Sequence, residues 1–453
     1  MKKGMTYEAV VEELEYGGKA KVLIEGESVE VKNVLPGQRV LVRITKKRRN
    51  RIQGKVLEIL ETSPLEVEET CKHFGKCGGC FMQSIPYEEQ LEMKEKQVLK
   101  LLEEREIRIG KILPADRSPK VYEYRNKMEF TFGDEEKGGE ITLGMHKKGR
   151  HHDVVTVDGC RIMDEDFRKI QMAVLDFAKE RELPQYNSMK HEGFLRHLVV
   201  RKGFYTGEIV VNLVTSTQRE EDFMPLVERV KNLDLQGHLH GFLHSKNDQL
   251  ADMVQSDEMI VLYGNPDYTD HLFDLKFQIS PYSFFQTNTP GAEVLYQNVV
   301  EFIGEIGNKV VYDLYCGTGT IAQVLAKDAK KVIGVEIVEE AVKKAKENAA
   351  LNGIENCEFI AGDVKKVLST IEEKPDTIVV DPPREGIHPK AVKDLIDFNV
   401  EEIVYVSCNP KSLAENLIEF QNAGYRVRKL KAVDLFPHTS HVECIARIEK
   451  NDS

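Results

Sequence analysis

The stretch Val310-Val311-Tyr312-Asp313-Leu314-Tyr315-Cys316-Gly317-Thr318-Gly319-Thr320 predicts a short apolar strand that turns sharply into a helix. Four more short apolar runs follow, separated by helix-length segments: residues 331–336, 357–360, 377–381 and 403–407. This rhythm is typical of a parallel, doubly wound sheet. The closing segments 426–433 and 443–448 flank a turn and predict an antiparallel hairpin at the edge of that sheet. We therefore predict a Rossmann-like α/β domain over residues 276–453.

The bend after the first strand predicts a nucleoside-binding site. Gly317 and Gly319 let the backbone approach a ligand closely at the carboxyl edge of the sheet. Glu336 ends the next strand, 19 residues after Gly317, where a carboxylate can bind both ribose hydroxyls. Asp363 ends the third strand and is placed to accept from an adenine amino group. No third glycine and no pyrophosphate-binding helix start follow, so the pattern favours S-adenosylmethionine, which has no phosphate, over NAD.

Two neighbouring strand ends carry a second candidate site. The fourth strand ends in Asp381-Pro382-Pro383-Arg384 and the fifth in Ser407-Cys408-Asn409-Pro410. Methyltransferases that act on amino groups often place an aromatic residue where Arg384 stands, which argues against that chemistry. Cys408 is the candidate nucleophile, just before a helix predicted to start near Lys411, and we expect the helix amino terminus to favour its thiolate. The alternative for such a cysteine is a buried structural residue.

These strand ends suit methylation of uracil at ring carbon 5. That carbon is not nucleophilic enough to attack a methyl sulfonium unaided. A thiolate that adds to carbon 6 makes an enolate whose carbon 5 can attack, and a base must then remove the carbon 5 proton so that the cysteine can leave. Glu443 is the candidate base. Because carbon 5 cannot be reached within a stacked helix, we expect a target uridine that is flipped out of a loop or an unfolded segment.

Four of the eight cysteines form a separate candidate site. Eight cysteines in 453 residues are too few for a disulfide scaffold, and clustered cysteines then indicate metal binding or catalysis. Cys71, Cys77 and Cys80 share a glycine-rich loop, and Cys160 can supply a fourth thiolate. Four thiolates can fill the coordination positions of zinc or of a four-iron cluster, and the spacing leaves the metal open. Four unrelated buried thiols are the alternative.

The first 60 residues predict a small OB-like β-barrel. Strands are predicted over residues 7–14, 19–24, 28–31, 39–44 and 52–59. Residues 46–51 form a basic tip, as expected of an oligonucleotide-binding barrel, although a solvated hairpin turn has the same pattern. Residues 1–60 hold 13 Lys and Arg against 8 Asp and Glu, whereas the whole chain has a net charge of −12. A local basic patch can still bind a phosphate backbone, because salt confines each field to roughly 10 Å.

Residues 61–275 predict a central α+β domain. A helix is predicted near residues 87–104, and strands over 194–201 and 208–214. In residues 124–127 and 196–201 basic and apolar side chains alternate, which places the charges on one face of each strand. That face is either a contact for RNA or a solvated sheet surface.

Together these motifs resemble the RNA uracil-5-methyltransferase family, in particular its members that modify 23S ribosomal RNA and carry an N-terminal TRAM domain and an iron-sulfur cluster. The similarity spans nearly the whole chain and includes Ser280-Pro281-Tyr282-Ser283-Phe284-Phe285-Gln286. It implies methyl transfer from S-adenosylmethionine to carbon 5 of a uridine in 23S ribosomal RNA. By resemblance, the catalytic residues are the nucleophile Cys408 and the proton acceptor Glu443. The cofactor contacts that it implies are Gln286, Tyr315, Glu336, Asp363 and Asp381.

The resemblance also implies a 4Fe-4S cluster held by Cys71, Cys77, Cys80 and Cys160. We expect a structural rather than a redox role for it, because methyl transfer from a sulfonium needs no electron. Three alternatives stay open: an RNA-binding or RNA-folding module in which methylation is secondary, an iron-sulfur redox enzyme, and uracil methylation of transfer RNA.

The chain shows no sign of a membrane partner. It has no run of 18 apolar residues, and a polar stretch rather than a signal-peptide core follows Met1-Lys2-Lys3-Gly4. We therefore expect a soluble, cytoplasmic protein that acts on RNA as a monomer.

Overall fold

The N-terminal segment forms a six-stranded curled sheet in the computed structural model of the chain, which describes residues 1–48, 51–150, 152–250, 254, 258–371 and 373–451. Its strands are β1 (Thr6–Val10), β2 (Glu13–Glu15), β3 (Lys19–Ile24), β4 (Glu27–Lys32), β5 (Arg39–Arg48) and β6 (Arg51–Glu61), in the spatial order β1-β5-β6-β4-β3-β2. Alternate side chains of these strands fill a core of their own. The prediction of five strands is wrong, because the first predicted strand is divided into β1 and β2. Between them the backbone of Val11 accepts a hydrogen bond from Gly37 and donates one to Gln38.

The predicted basic tip lies between β5 and β6, and its residues Arg49 and Asn50 are outside the described residues. Two of its cations are paired, Lys47 with Glu27 at 2.7 Å and Arg51 with Glu30 at 2.9 Å. Such pairs reduce the positive charge that the tip presents to a ligand.

The helix α1 (Tyr87–Glu103) and the strand β7 (Ile109–Asp116) belong with the C-terminal sheet, although the predicted central unit 61–275 includes them. The helix itself is confirmed. The strand β7 pairs in parallel with the strand Tyr425–Val433, and α1 buries Val98 and Leu102 in the C-terminal core. This pairing joins residues far apart in the chain, so no local pattern indicates it.

The central layer is a seven-stranded sheet covered by two helices. Its elements are β8 (Lys127–Asp134), β9 (Ile141–His146), β10 (Val154–Thr156), α2 (Glu165–Glu180), β11 (Leu195–Lys202), β12 (Glu208–Thr215), α3 (Met224–Lys231), β13 (His238–Lys246) and β14 (Glu258–Gly264). The strands run in the order β10-β9-β8-β11-β12-β13-β14. The two strands predicted here are confirmed as β11 and β12.

The charged residues of β11 are buried, so the prediction of an exposed charged face is wrong for this strand. Arg196 and Arg201 are 2% and 3% exposed. An Nη1 atom of Arg196 donates to the backbone oxygen of Asn247 at 2.7 Å, and Nη2 of Arg201 donates to that of Ser283 at 2.9 Å. These guanidinium groups therefore hold chain segments together.

A connecting unit links the central layer to the C-terminal sheet. It consists of the hairpin β15 (Tyr268–Leu272) and β16 (Leu275–Ile279) and the helix α4 (Thr289–Ile303). The hairpin and α4 share one apolar core, so the predicted boundary between residues 275 and 276 falls inside a packed unit.

The C-terminal layer is the predicted Rossmann-like sheet. Its elements are β17 (Val310–Leu314), α5 (Thr320–Ala326), β18 (Lys331–Glu336), α6 (Glu339–Leu351), β19 (Cys357–Ala361), α7 (Val364–Leu368), β20 (Thr377–Val380), α8 (Pro389–Phe398), β21 (Glu402–Ser407), α9 (Pro410–Asn422), β22 (Tyr425–Val433) and β23 (Glu443–Lys450). The order β19-β18-β17-β20-β21-β23-β22-β7 confirms the five parallel strands and the antiparallel hairpin. The order reverses between β17 and β20, and such sheets bind ligands outside the carboxyl ends of the strands at this switch point. Within the described residues, none of the helices has the length and apolar character needed to cross a membrane.

Candidate active site

The bend after β17 has a backbone conformation that side chains rarely adopt. Tyr315, Gly317 and Gly319 have positive φ angles of 66°, 53° and 75°. A Cβ atom at Gly319 would lie 2.5 Å from the Phe359 ring, so glycine is required for α5 to start this close to the sheet. The bend places its backbone at the switch point, where the sequence predicts the cofactor.

Glu336 is fixed at the end of β18 beside this bend. Its carboxylate accepts from the backbone N–H of Gly317 at 3.1 Å and from that of Val338 at 3.0 Å. Burial, and after it the carboxylates of Asp363 and Glu336, raise the pKa of the Tyr315 phenol, so these three side chains are neighbours. Asp363 also caps the start of α7. Three predicted cofactor residues therefore lie together beside the glycine bend.

Two further carboxyl groups lie next to this crevice. Asp381 follows β20, and burial raises its pKa to about 7. Asp313 within β17 is fully buried, and within the described residues its carboxyl group makes no close hydrogen bond, although the backbone N–H of Ala322 favours its charged form. Burial, and then Asp381, raise the pKa of Asp313 well above its ordinary value. Asp313 is not among the predicted site residues, although a carboxyl group inside an apolar strand is a recognisable signal.

Residues 280–286 lie against the glycine bend. A backbone oxygen of this segment accepts from the Thr318 hydroxyl at 3.5 Å. Gln286 is buried beside Tyr296, whose hydroxyl is 3.2 Å from that of Thr320. The predicted cofactor residue Gln286 is thus close to the start of α5.

Cys408 and Glu443 meet at the ends of adjacent strands. The antiparallel register of β21 and β23 pairs Ser407 with Cys444, so the next residues along, Cys408 and Glu443, are opposite each other. Glu443 is 3% exposed, whereas Cys408 is half-buried. Because β21 runs parallel to β20 and β17, this end of the sheet is also the end that carries the glycine bend.

Burial and neighbouring carboxyl groups set the protonation of this pair. Burial, then Glu443 and Asp381, raise the pKa of the Cys408 thiol to about 11. Burial, and then Asp381, raise the pKa of Glu443 to about 8. The helix α9 starts at Pro410, close to the predicted Lys411. The start of this helix favours a thiolate, whereas burial and the neighbouring carboxyl groups oppose it.

Two other segments hold the Cys408 loop in place. The hydroxyl of Tyr16, a barrel residue only 7% exposed, donates to the backbone oxygen of Cys408 at 3.4 Å. The backbone oxygen of Arg384, in the loop after β20, accepts from Asn409 Nδ2 at 2.9 Å and from Ser412 Oγ at 3.2 Å. The N-terminal unit therefore reaches the candidate site through Tyr16, a contact that no local sequence pattern indicates.

The loop between β22 and β23, which leads into Glu443, is anchored from outside the sheet. The buried Lys94 of α1 pairs with Asp434 at 2.8 Å. Two backbone N–H groups directly after Cys80 donate to the backbone oxygen of His438 at 2.8 and 3.0 Å. The position of Glu443 therefore depends on α1 and on the cysteine loop.

The four predicted metal-ligating cysteines, Cys71, Cys77, Cys80 and Cys160, line one cavity of about 60 Å³. Among the described residues, no three of their sulfur atoms lie within 4.8 Å of one another. Four thiolates bound at about 2.3 Å to one zinc ion would stand only about 3.8 Å apart.

Comparison with known proteins agrees with this geometry. Residues 86–451 match the model of the tRNA (uracil-5-)-methyltransferase family. A protein of Clostridium tetani named as an uncharacterized RNA methyltransferase is 49% identical, over 100% of this chain and 99% of its own. A similarly named protein of Caldanaerobacter subterraneus is 50% identical over 100% of both chains. The solved structure of the Pyrococcus abyssi tRNA (uracil-54, C5)-methyltransferase in complex with S-adenosyl-L-homocysteine matches with a TM-score of 0.76 and 28% identity, over 98% of this chain and 100% of that one. The chain therefore belongs to the tRNA (uracil-5-)-methyltransferase family of S-adenosylmethionine-dependent RNA methyltransferases.

Proposed function

We propose that the protein methylates carbon 5 of a uridine in 23S ribosomal RNA through a covalent bond between Cys408 and the uracil. The observation that carries this proposal is the position of Cys408 opposite Glu443, at the same sheet edge as the glycine bend. A nucleophile and a base within one site are the two protein groups that this reaction requires.

The methyl donor is assigned to the crevice beside the glycine bend. When bound, S-adenosylmethionine supplies an electrophilic methyl group on a cationic sulfonium. Glu336 is placed for the ribose hydroxyls and Asp363 for the adenine amino group, while Tyr315 and Gln286 form further walls of the crevice. The fixed orientation of the Glu336 carboxylate, which two backbone N–H groups hold, supports this assignment.

Asp313 and Asp381 suit a cationic ligand. Both carboxyl groups have raised pKa values, chiefly because burial leaves their charge unsolvated. A nearby positive charge favours the ionised form of a carboxyl group. We therefore assign to Asp381, at the junction between the cofactor crevice and Cys408, contact with the donor, and to Asp313 electrostatic support from within the sheet.

Cys408 and Glu443 divide the chemistry between them. After the Cys408 thiol has lost its proton to solvent, its sulfur adds to carbon 6, which moves the electrons of the 5,6 double bond towards carbon 5 and the carbonyl oxygen. Carbon 5 then forms a bond to the methyl carbon as the bond from that carbon to the sulfonium sulfur breaks. Glu443 removes the carbon 5 proton, the double bond re-forms, and the bond between carbon 6 and sulfur breaks. A base with a pKa of about 8 is well matched to this proton transfer near neutral pH.

Transfer RNA is the second candidate substrate. The Pyrococcus abyssi protein, which aligns with 98% of this chain and so includes the barrel, is described as acting on uracil 54 of transfer RNA. A barrel alone therefore does not exclude transfer RNA. The four-cysteine loop and the resemblance to family members that modify 23S ribosomal RNA favour the ribosomal substrate.

The deciding experiment combines the purified protein, labelled S-adenosylmethionine, and either unmodified 23S ribosomal RNA or unmodified transfer RNA, followed by mapping of the label. Label on carbon 5 of a uridine in 23S ribosomal RNA supports the proposal, and label only in transfer RNA supports the second candidate. Label on cytosine or on an exocyclic amine would overturn the proposed chemistry. Cys408→Ala should transfer no label to either RNA.

We also propose that Cys71, Cys77, Cys80 and Cys160 hold a 4Fe-4S cluster. Their shared cavity supports one common metal group, and the resemblance to cluster-containing family members favours iron and sulfide over zinc. A cluster would cross-link two distant segments of the central domain without exchanging electrons with the substrate. Iron and acid-labile sulfide in equal amounts, four of each per chain, are expected from anaerobically purified protein. Stoichiometric zinc in their place would contradict the assignment.

A further inference from the structure

A cavity of about 240 Å³ lies where the barrel meets α1 and the start of α9. Tyr16, whose hydroxyl binds the backbone oxygen of Cys408, forms part of its wall. Lys411 lines it from the first turn of α9, with its Nζ atom 5.8 Å from the centre of the Tyr16 ring. The cavity is therefore separated from the loop of the candidate nucleophile by one side chain.

This junction cavity has an excess of positive charge. Five lysine and arginine side chains line it, against two glutamates. Lys21 and Lys100 are already paired with carboxylates, and Lys19 lies 3.8 Å from Glu30. In the part of the chain that the structure describes, neither Lys411 nor Arg105 has a carboxylate within 4.0 Å. Lys411 and Arg105 thus make no ion pair within the described residues, and Glu15 and Glu104 are the carboxylates that line the same cavity.

The cations of the junction cavity are close enough to affect one another. Burial, and then Lys19, lower the pKa of Lys411; Arg105 acts in the same direction, whereas Glu15 and Glu30 act against it. An anion bound between these side chains would relieve this repulsion and would form charge-assisted hydrogen bonds with Lys411 and Arg105. Phosphate is the anion that an RNA substrate carries at every nucleotide.

We infer that the junction cavity binds one backbone phosphate of the RNA strand next to the flipped uridine, with Lys411, Arg105 and Lys19 as its cationic ligands. This inference rests on the proposed function, because it needs an RNA whose uridine reaches Cys408. Phosphate contacts fix the register of a strand without reading its sequence. The cavity therefore positions the strand between the barrel and α9, and Tyr16 links that position to the Cys408 loop.

The test compares Lys411→Gln, Arg105→Gln and the double variant with the parent protein in binding an RNA fragment that contains the target uridine. Each single variant should weaken binding about tenfold near 0.1 M salt, as expected for loss of one charge-assisted contact. It should also lower the slope of log Kd against log salt concentration by about 1. Lys411→Arg keeps the charge and should retain most of the affinity. Unchanged binding of S-adenosylmethionine by each variant verifies that it is folded.

Lys346→Gln is the matched control, because Lys346 is an exposed lysine of α6, a helix that packs against β16, β18 and β19. It should change neither Kd nor the salt slope. If Lys411→Gln and Arg105→Gln also leave both values unchanged, the inference is overturned. A second result would also overturn the inference: inorganic phosphate, at constant ionic strength, binds the parent but not the variants, while parent and variants bind RNA with equal affinity. The cavity would then bind free anions and not the RNA backbone. A parent that binds RNA without methylating uridine refutes the proposed function, whichever result the variants give.

Discussion

Cys408 and Glu443 occupy the ends of two strands that are hydrogen-bonded to each other, β21 and β23, and the pairing of Ser407 with Cys444 places them opposite one another. Glu443 begins β23 and Cys408 directly follows β21, so the register of these two strands sets where both residues lie. The strand that supplies Glu443 runs antiparallel to the strand that supplies Cys408. Because backbone pairing fixes both positions, removal of either side chain should leave the other in place.

Glu443→Gln should trap the reaction after methyl transfer. Glutamine keeps the shape of the side chain but cannot accept the carbon 5 proton, so the bond between Cys408 and carbon 6 persists. We expect turnover to fall by about 10²–10⁴-fold, and a protein–RNA adduct to accumulate on unmodified RNA. A denaturing gel of protein incubated with radiolabelled RNA and S-adenosylmethionine measures the adduct. Wild-type turnover, or loss of turnover with no adduct, would contradict the role of Glu443.

Cys408→Ala should abolish both methylation and adduct formation. RNA in which 5-fluorouridine replaces the target uridine has no removable proton at carbon 5, so the parent protein should form a stable covalent complex with it. The alanine variant should form none, while its affinity for S-adenosylmethionine stays within about twofold of the parent. Cys444→Ala is a useful comparison, because Cys444 is fully buried and is not expected to attack the RNA. An adduct that survives in Cys408→Ala would identify another nucleophile.

The rate at which the covalent adduct is resolved should rise with pH, because Glu443 must be ionised to remove the carbon 5 proton. Burial, and then Asp381, raise its pKa to about 8, and only the ionised form can accept a proton. Between pH 8 and pH 6 the fraction of carboxylate falls about fiftyfold, so the single-turnover rate should fall by at least this factor. Because the pKa of the Cys408 thiol is about 11, thiolate formation also favours higher pH and adds to the same trend. A rate that is independent of pH over this interval would contradict the assignment.

The sequence contains the signals for the parallel sheet but not for its outer strand. The runs that became β17 to β21 are short and apolar and alternate with helix-length segments, and buried parallel strands have this pattern wherever they occur. The strand β7 has an equally ordinary sequence, and its partner β22 follows it by some three hundred residues in the chain. Pairing over such a separation is decided by packing, so local periodicity could not predict it.

The candidate site shows the same division. The shared position of Cys408, Asp381 and Glu336 could be predicted, because the carboxyl ends of parallel strands lie at one edge of the sheet. The alternation of charged and apolar residues in β11 predicted a charged face. A period of two is the same whether that face contacts solvent or protein, and in the structure Arg196 is buried. Likewise, a helix start next to Cys408 was visible in the sequence, while the burial that raises the pKa of its thiol was not.

Lys94→Ala should destabilise the segment that leads into Glu443. Lys94 is 1% exposed and pairs with Asp434 at 2.8 Å, so its removal leaves a buried carboxylate without a counterion. We expect a loss of about 3–5 kcal/mol in the free energy of unfolding, as for other broken buried ion pairs. Urea denaturation measures the loss, and Lys96→Ala on the exposed side of the same helix should change the midpoint little. Equal midpoints for the two variants would show that the buried pair does not stabilise this segment.

Gly319→Ala should impair the cofactor site more than its backbone angle alone would explain. Its φ angle of 75° is unfavourable for alanine, and the added Cβ atom would lie 2.5 Å from the Phe359 ring. Gly353→Ala is the matched control, because Gly353 has a φ of 65° but has no atom within 4 Å of the added Cβ. Both variants should lose about 1–3 kcal/mol of stability from backbone strain. Only Gly319→Ala should also weaken the binding of S-adenosylmethionine, measured by calorimetry, since the clash displaces the bend that carries Tyr315 and Gly317. Equal cofactor affinity in the two variants would mean that the bend does not form the cofactor site.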